Sequence, residues 1–167
     1  MGPTDYARLS ARIGESVGYQ RTQWGVIALP VIFGSVVLLV VVSLLSDDSA
    51  TVVVWSGVLL AMVSLLVLHF SRLTVTVDDT SVTAAFGYVN WPKRVVPYDE
   101  IESVEKVRNA WWYGYGVRWI PGGTMYNVQG NDAVELTYVS GKKFRIGTND
   151  VDGLYTALAN RIHPTKN

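Results

Sequence analysis

The chain has no cysteine, which excludes disulfides, thiolate metal sites and a cysteine nucleophile. Histidine is almost as scarce. The two present, His69 and His163, make no recognisable metal-ligand spacing with the scattered carboxylates and no spacing that suggests a triad. Net charge is missing too, with 14 basic against 14 acidic residues, and from Ser71 onward 11 Lys/Arg face 10 Asp/Glu. A nucleic-acid binder normally carries a basic domain or stripe, so no nucleic-acid partner is expected. The glycines at 114 and 116 lack the third glycine and the strand-to-helix setting of a dinucleotide loop. The expectation is therefore a protein that is not an enzyme and that holds no cofactor and no metal.

Charge is also absent from two long stretches. Trp24 to Leu45 and Val52 to Phe70 contain no Asp, Glu, Lys or Arg. At about 1.5 Å per helical residue, each can cross a hydrocarbon core of about 30 Å. A cleaved signal peptide fits less well, because its apolar region would be too long and its small-residue site, Asp48-Ser49-Ala50, begins with an aspartate. The organisation expected is an N-terminal segment over 1–23, a transmembrane hairpin over 24–70 (spans 24–45 and 52–70), and a domain over 71–167. Arg8, Arg12 and Arg21 precede the first span, and Arg72, Lys93 and Arg94 follow the second. The loop between them has Asp47 and Asp48 and no cation, so both termini are expected in the cytoplasm of an inner-membrane protein. Ionisable residues at depth, the mark of transporters, are missing. Gly57, Ala61 and Ser64 share one face of the second span, opposite a notch at Gly34 and Ser35, and Pro30 is placed to kink the first. Tyr6, Leu9, Ile13 and Val17 recur at helical spacing, which suits a short amphipathic helix on the membrane surface.

After Arg72 the pattern alternates. Leu73–Val77, Ser81–Phe86, Lys93–Val96, Ser103–Arg108, Gly116–Trp119, Thr124–Val128, Ala133–Val139 and Lys143–Ile146 read as strands. Thr148, Asn149 or Asp150 can cap a helix from Val151 to Ile162 with Leu154, Leu158 and Ile162 on one stripe. The fold class expected is a two-helix transmembrane hairpin plus a mainly β domain, a partly open antiparallel barrel capped by a C-terminal α-helix.

This order, with VPYDEIESVE at Val96–Glu105, GYGVRW at Gly114–Trp119, PGGTMYNV at Pro121–Val128 and AVEL with GKKFRIGTND inside Ala133–Asp150, resembles the bacterial pleckstrin-homology-like domains that follow one or two membrane spans. The likeness runs from about Leu73 to Ile162. It implies a PH-like barrel acting as a binding or scaffolding module, often self-associating, without chemistry of its own. Phosphoinositide-binding members hold phosphates with cations around the first hairpin. Here that turn is Asp78-Asp79-Thr80, whose carboxylates repel such a headgroup.

The local oddity is aromatic: Trp111, Trp112, Tyr113, Tyr115, Trp119 and Tyr126 fall within 16 residues. Three readings stay open, namely core filling, an interfacial belt in which Trp91, Lys93 and Arg94 join as membrane contacts, and a protein-binding surface. Arg118 should point away from Val117 and Trp119 and pair with Glu102 or Glu135. Lys143 and Arg145 should share a solvated edge. The partners expected are the lipid bilayer and either a second copy or another membrane protein. The alternative is a lipid or small-molecule receptor with a groove beside the bilayer.

Overall fold

The computed structural model describes residues 18–26, 28–45 and 50–162. The helical pattern of Tyr6 to Val17, the 46–49 loop with its two aspartates, and His163 lie outside these residues. The first described element is a strand, β1 (Tyr19–Trp24), followed by α1 (Ala28–Leu45) and α2 (Ala50–Phe70). Strands β2 (Arg72–Val77), β3 (Ser81–Phe86), β4 (Lys93–Pro97), β5 (Ile101–Arg108), β6 (Gly116–Ile120), β7 (Gly123–Asn127), β8 (Asp132–Tyr138) and β9 (Lys143–Gly147) come next, and α3 (Val151–Ile162) ends the order.

Helices α1 and α2 are 18 and 21 residues long, about 27 Å and 32 Å, and both are long and apolar enough to cross a membrane. Most of their large apolar side chains are exposed, which suits lipid and not water. Gly57 packs against Leu39 of the neighbouring helix, as its small size permits. The expected notch is only half there: Gly34 meets open space and Ala61 is exposed, because the half-buried positions of α1 run through Val31, Ser35 and Leu39 and leave Gly34 on the outside. Pro30 lies in the first turn of α1, where its missing N–H leaves no helical bond unmade.

The first span was expected to start at Trp24, yet Trp24 closes β1. Strand β1 pairs antiparallel with β2 in continuous register from Tyr19↔Val77 to Trp24↔Arg72, and the Gly25 N–H donates to the Ser71 carbonyl at 2.6 Å. The helix pair therefore occupies the place of the turn in a β-hairpin. Both chain passages leave the domain side by side, and the segment ahead of the helices is part of the domain behind them.

The strands form two sheets, ordered β1-β2-β3-β4 and β5-β8-β9-β7-β6. The wholly antiparallel arrangement is corrected at one ladder: β7 runs parallel to β9. Strands β8 and β9 pair as a hairpin, so β9 returns beside β7 in the same direction. Gly123 makes the approach possible, since a Cβ there would stand 1.7 Å from the Lys143 carbonyl oxygen. The change of sheet between β4 and β5 is a 3₁₀ turn, Tyr98–Glu100. The Tyr98 hydroxyl donates to the Asp78 and Ser81 carbonyls at 2.6 and 2.8 Å, and burial first of all pushes its pKa up to about 12.

Alternation puts Leu73, Val75 and Val77, then Val82, Ala84 and Phe86, on the inner face of one sheet. Val134, Leu136, Phe144 and Ile146 meet them from the other, and Phe86, Tyr126 and Phe144 chain their rings across the gap at 5.0 and 5.1 Å. Each Val, Leu, Ile and Phe among them contributes about 1.5–3 kcal/mol of apolar burial. Helix α3 seals the assembly with Leu154 and Leu158. Of the three possible caps, Asp150 serves, accepting the Gly153 N–H at 3.1 Å, while Thr148 accepts from Asp150.

Candidate functional site

Trp111–Tyr113 form a 3₁₀ turn between β5 and β6, held by the Tyr113 N–H on the Ala110 carbonyl. Three consecutive rings stack edge to face there, at 5.9 and 6.3 Å. Trp111, Trp112 and Trp119 are 78%, 68% and 86% exposed, while Tyr113 and Tyr115 are half-buried. Of the six aromatics only Tyr126 is core, at 7%. The structure brings Trp111 and Trp112 together but sets Trp119 apart, on the edge strand β6, in register with Thr124 of β7. It stands three residues, or about 10 Å, along the strand from Gly116. Val117 shares its face and is also exposed.

A groove of about 410 Å³ runs between the end of α2 with the residue after it (Val67, Phe70, Ser71) and the entry into β6 (Tyr115, Gly116, Arg118). Arg118 lines this groove and lies over Gly114. Its expected partner Glu135 is engaged elsewhere. Lys143 donates to Glu135 at 2.6 Å, Arg145 holds the second carboxylate oxygen, and Arg145 also reaches Asn109 at 3.2 Å. These cations do not form a solvated edge. Strand β9 is the middle strand of its sheet, Glu135 lies opposite Arg145 on β8, and it is buried. Burial alone would raise the Glu135 pKa, but the two cationic hydrogen bonds outweigh it and hold the carboxyl below its ordinary value.

Trp91, Lys93 and Arg94 are also divided. Trp91 is exposed in the β3–β4 loop, and its carbonyl accepts from the His69 Nε2–H at the end of α2. Lys93 pairs with the outward Ala85 register and is exposed. Arg94 pairs with inward Ala84, so its Nε donates to the Tyr138 hydroxyl at 3.1 Å and its guanidinium lies over the Phe144 ring. Neighbouring strand residues point to opposite faces, which is why a run adjacent in sequence is not one surface.

Two features were not drawn from the sequence. Gln23, buried in β1, donates to the Gly147 carbonyl at 2.5 Å and accepts the Asn149 N–H at 3.1 Å, stitching the two sheets together. Where the helices leave the domain, Arg72 lies over the Tyr88 ring at 4.7 Å and the Trp24 ring at 5.8 Å. Among the described residues no group of His, Asp and Glu converges as a metal site. No protein-family model matches the chain, and no curated protein matches it.

Proposed function

We propose that the protein is a membrane-anchored interaction module whose β domain associates with a second copy, or with another membrane protein, at the cytoplasmic face of the inner membrane. The observation carrying this reading is that Trp111, Trp112 and Trp119 are 68–86% exposed although the core is filled without them. Indoles on ordered elements lose little freedom on binding, and Trp, Tyr and Arg dominate protein contacts. Self-association is favoured, because a domain held close to a bilayer meets its own copies at high effective concentration. The two sheets with one sealing helix suit the PH-like barrel implied by the resemblance. Pairing of β1 with β2 supports a topology in which the chain on both sides of the helix pair shares one side of the membrane, and the cations flanking the pair favour the cytoplasm.

A second reading, a lipid or small-molecule receptor, is favoured by the groove beside Phe70, Tyr115 and Arg118.

The test is the mass of full-length protein in detergent, wild type against a Trp111→Ala/Trp112→Ala/Trp119→Ala variant. Wild type should be a discrete oligomer and the variant should dissociate, each ring contributing about 2 kcal/mol, roughly thirtyfold in affinity. Thermal stability should stay within a few degrees, because the rings lie outside the core. A monomeric wild type contradicts self-association and leaves another membrane protein as the partner, and a variant without a cooperative transition contradicts the placing of the rings outside the core.

A further inference from the structure

We propose that Arg72, held between Trp24 and Tyr88, binds the phosphate of a membrane phospholipid. The inference rests on the reading of α1 and α2 as membrane spans, but it concerns a site separate from the exposed indoles. Arg72 is the second residue after Phe70, where α2 ends, and it is the register partner of Trp24, four residues ahead of α1. Both helix ends are brought to one level here by the Gly25–Ser71 hydrogen bond, so spans of this length place Arg72 in the headgroup layer.

The chemistry at that level is ready-made for an anion. The guanidinium lies 4.7 Å from the Tyr88 ring and 5.8 Å from the Trp24 ring, and those rings contact each other edge-on at 5.9 Å. The rings set the plane of the fork without using its hydrogen-bond donors. No carboxylate among the described residues forms an ion pair with Arg72, and its shielded Nε–H has no acceptor there. Tyr88 is held in place because the loop bearing it is tied down on both sides. The Gly87 N–H donates to the Arg72 carbonyl at 2.8 Å, and His69 caps the Trp91 carbonyl at 2.5 Å. Gly87 itself has φ +69°, and any Cβ would strike the His69 ring at 2.1 Å, so the loop sits on the helix end as closely as a glycine allows. Trp and Tyr favour the interfacial zone, and a phosphate there supplies the acceptors the fork lacks.

The test uses full-length protein in a maltoside detergent, titrated with phosphatidylglycerol, with diacylglycerol of the same chains, or with inorganic phosphate, while thermal stability is followed. Phosphatidylglycerol should raise the wild-type Tm saturably and diacylglycerol should not. Arg72→Gln should weaken the response at least about tenfold, and Arg72→Lys, which keeps the charge but not the planar fork, should fall between. Should Arg72→Gln lose its cooperative transition, Tyr88→Leu serves instead, with a severalfold weakening expected at an exposed ring. Equal responses of wild type and these variants overturn the site. An equal, Arg72-dependent response to inorganic phosphate overturns the lipid in favour of a soluble anion. Alkaline carbonate washing separates the premises: wild type released from membranes overturns the membrane reading and the lipid site with it. Retention without a phosphatidylglycerol response overturns the lipid site alone.

Discussion

A chain beginning at Arg72 should fail to unfold cooperatively, whereas one in which Asn-Gly replaces residues 25–71 should be a soluble, folded domain. Trp24 and Arg72 face each other in register, so a two-residue turn can close the hairpin that the helix pair now fills. Without β1, the outer edge of β2 is stripped, Tyr19 leaves the core and its bond to Asp150 at 3.1 Å is lost. The Gly147 carbonyl and the Asn149 N–H also lose Gln23. Each buried group left unpaired costs about 1–3 kcal/mol. With the ladder added, the loss approaches the roughly 5–15 kcal/mol that holds a typical domain together. The point variant Gln23→Ala should lose about 2–4 kcal/mol in urea unfolding of the turn-closed domain. A loss below half a kcal/mol would show that β1 is only laid against the sheet.

Glu135→Ala should cost about 3 kcal/mol or more, since it leaves the largely buried Arg145 without its counterion. Lys143 is more exposed and loses less. Replacing both Glu135 and Arg145 with Leu should recover much of the loss, because an apolar pair needs no compensation. The pH dependence follows from the sign of the shift. Glu135 has a folded pKa below its unfolded one, so its contribution is whole above the unfolded value, about 4.3, and disappears as pH falls through the lowered folded value. Tm of the turn-closed domain should therefore drop more steeply below pH 4 in wild type than in Glu135→Ala. Parallel curves would mean that the carboxylate is not held by its two cations in the folded state.

The strands from Leu73 to Ile146 and the last helix were legible because their inward positions are apolar and their turns carry Gly, Pro, Asn and Asp. Strand β1 was not. Its positions opposite Leu73, Val75 and Val77 are Gln23, Arg21 and Tyr19, so polar residues stand where alternation calls for apolar ones. Trp24, which points the other way, merges with the uncharged run that follows. Gln23 is buried for its hydrogen bonds, a reason that hydropathy does not record. The parallel β7–β9 ladder was equally hidden, since strand direction depends on which neighbour a strand meets. The aromatic cluster was plain in the sequence, yet whether its rings are inside or outside depends on what already fills the core, where Phe86 of the opposing sheet and Phe144 of the same sheet enclose Tyr126. Arg72 appeared only as a flanking charge because its two rings come from β1 and from the β3–β4 loop.

The central claim is that a helix pair crosses a bilayer from the tip of a β-hairpin, leaving β1 and the rest of the domain together on the cytoplasmic side. The absence of native cysteine makes single substitutions at the exposed Gln20, Ala50 and Asp99 clean reporters. A membrane-impermeant maleimide applied to intact cells should label Ala50→Cys, and should reach Gln20→Cys and Asp99→Cys only after lysis. Labelling of Gln20→Cys and Asp99→Cys on opposite sides of the membrane would contradict the claim, because one folded domain cannot be parted by a bilayer, and labelling of both in intact cells would contradict its cytoplasmic side.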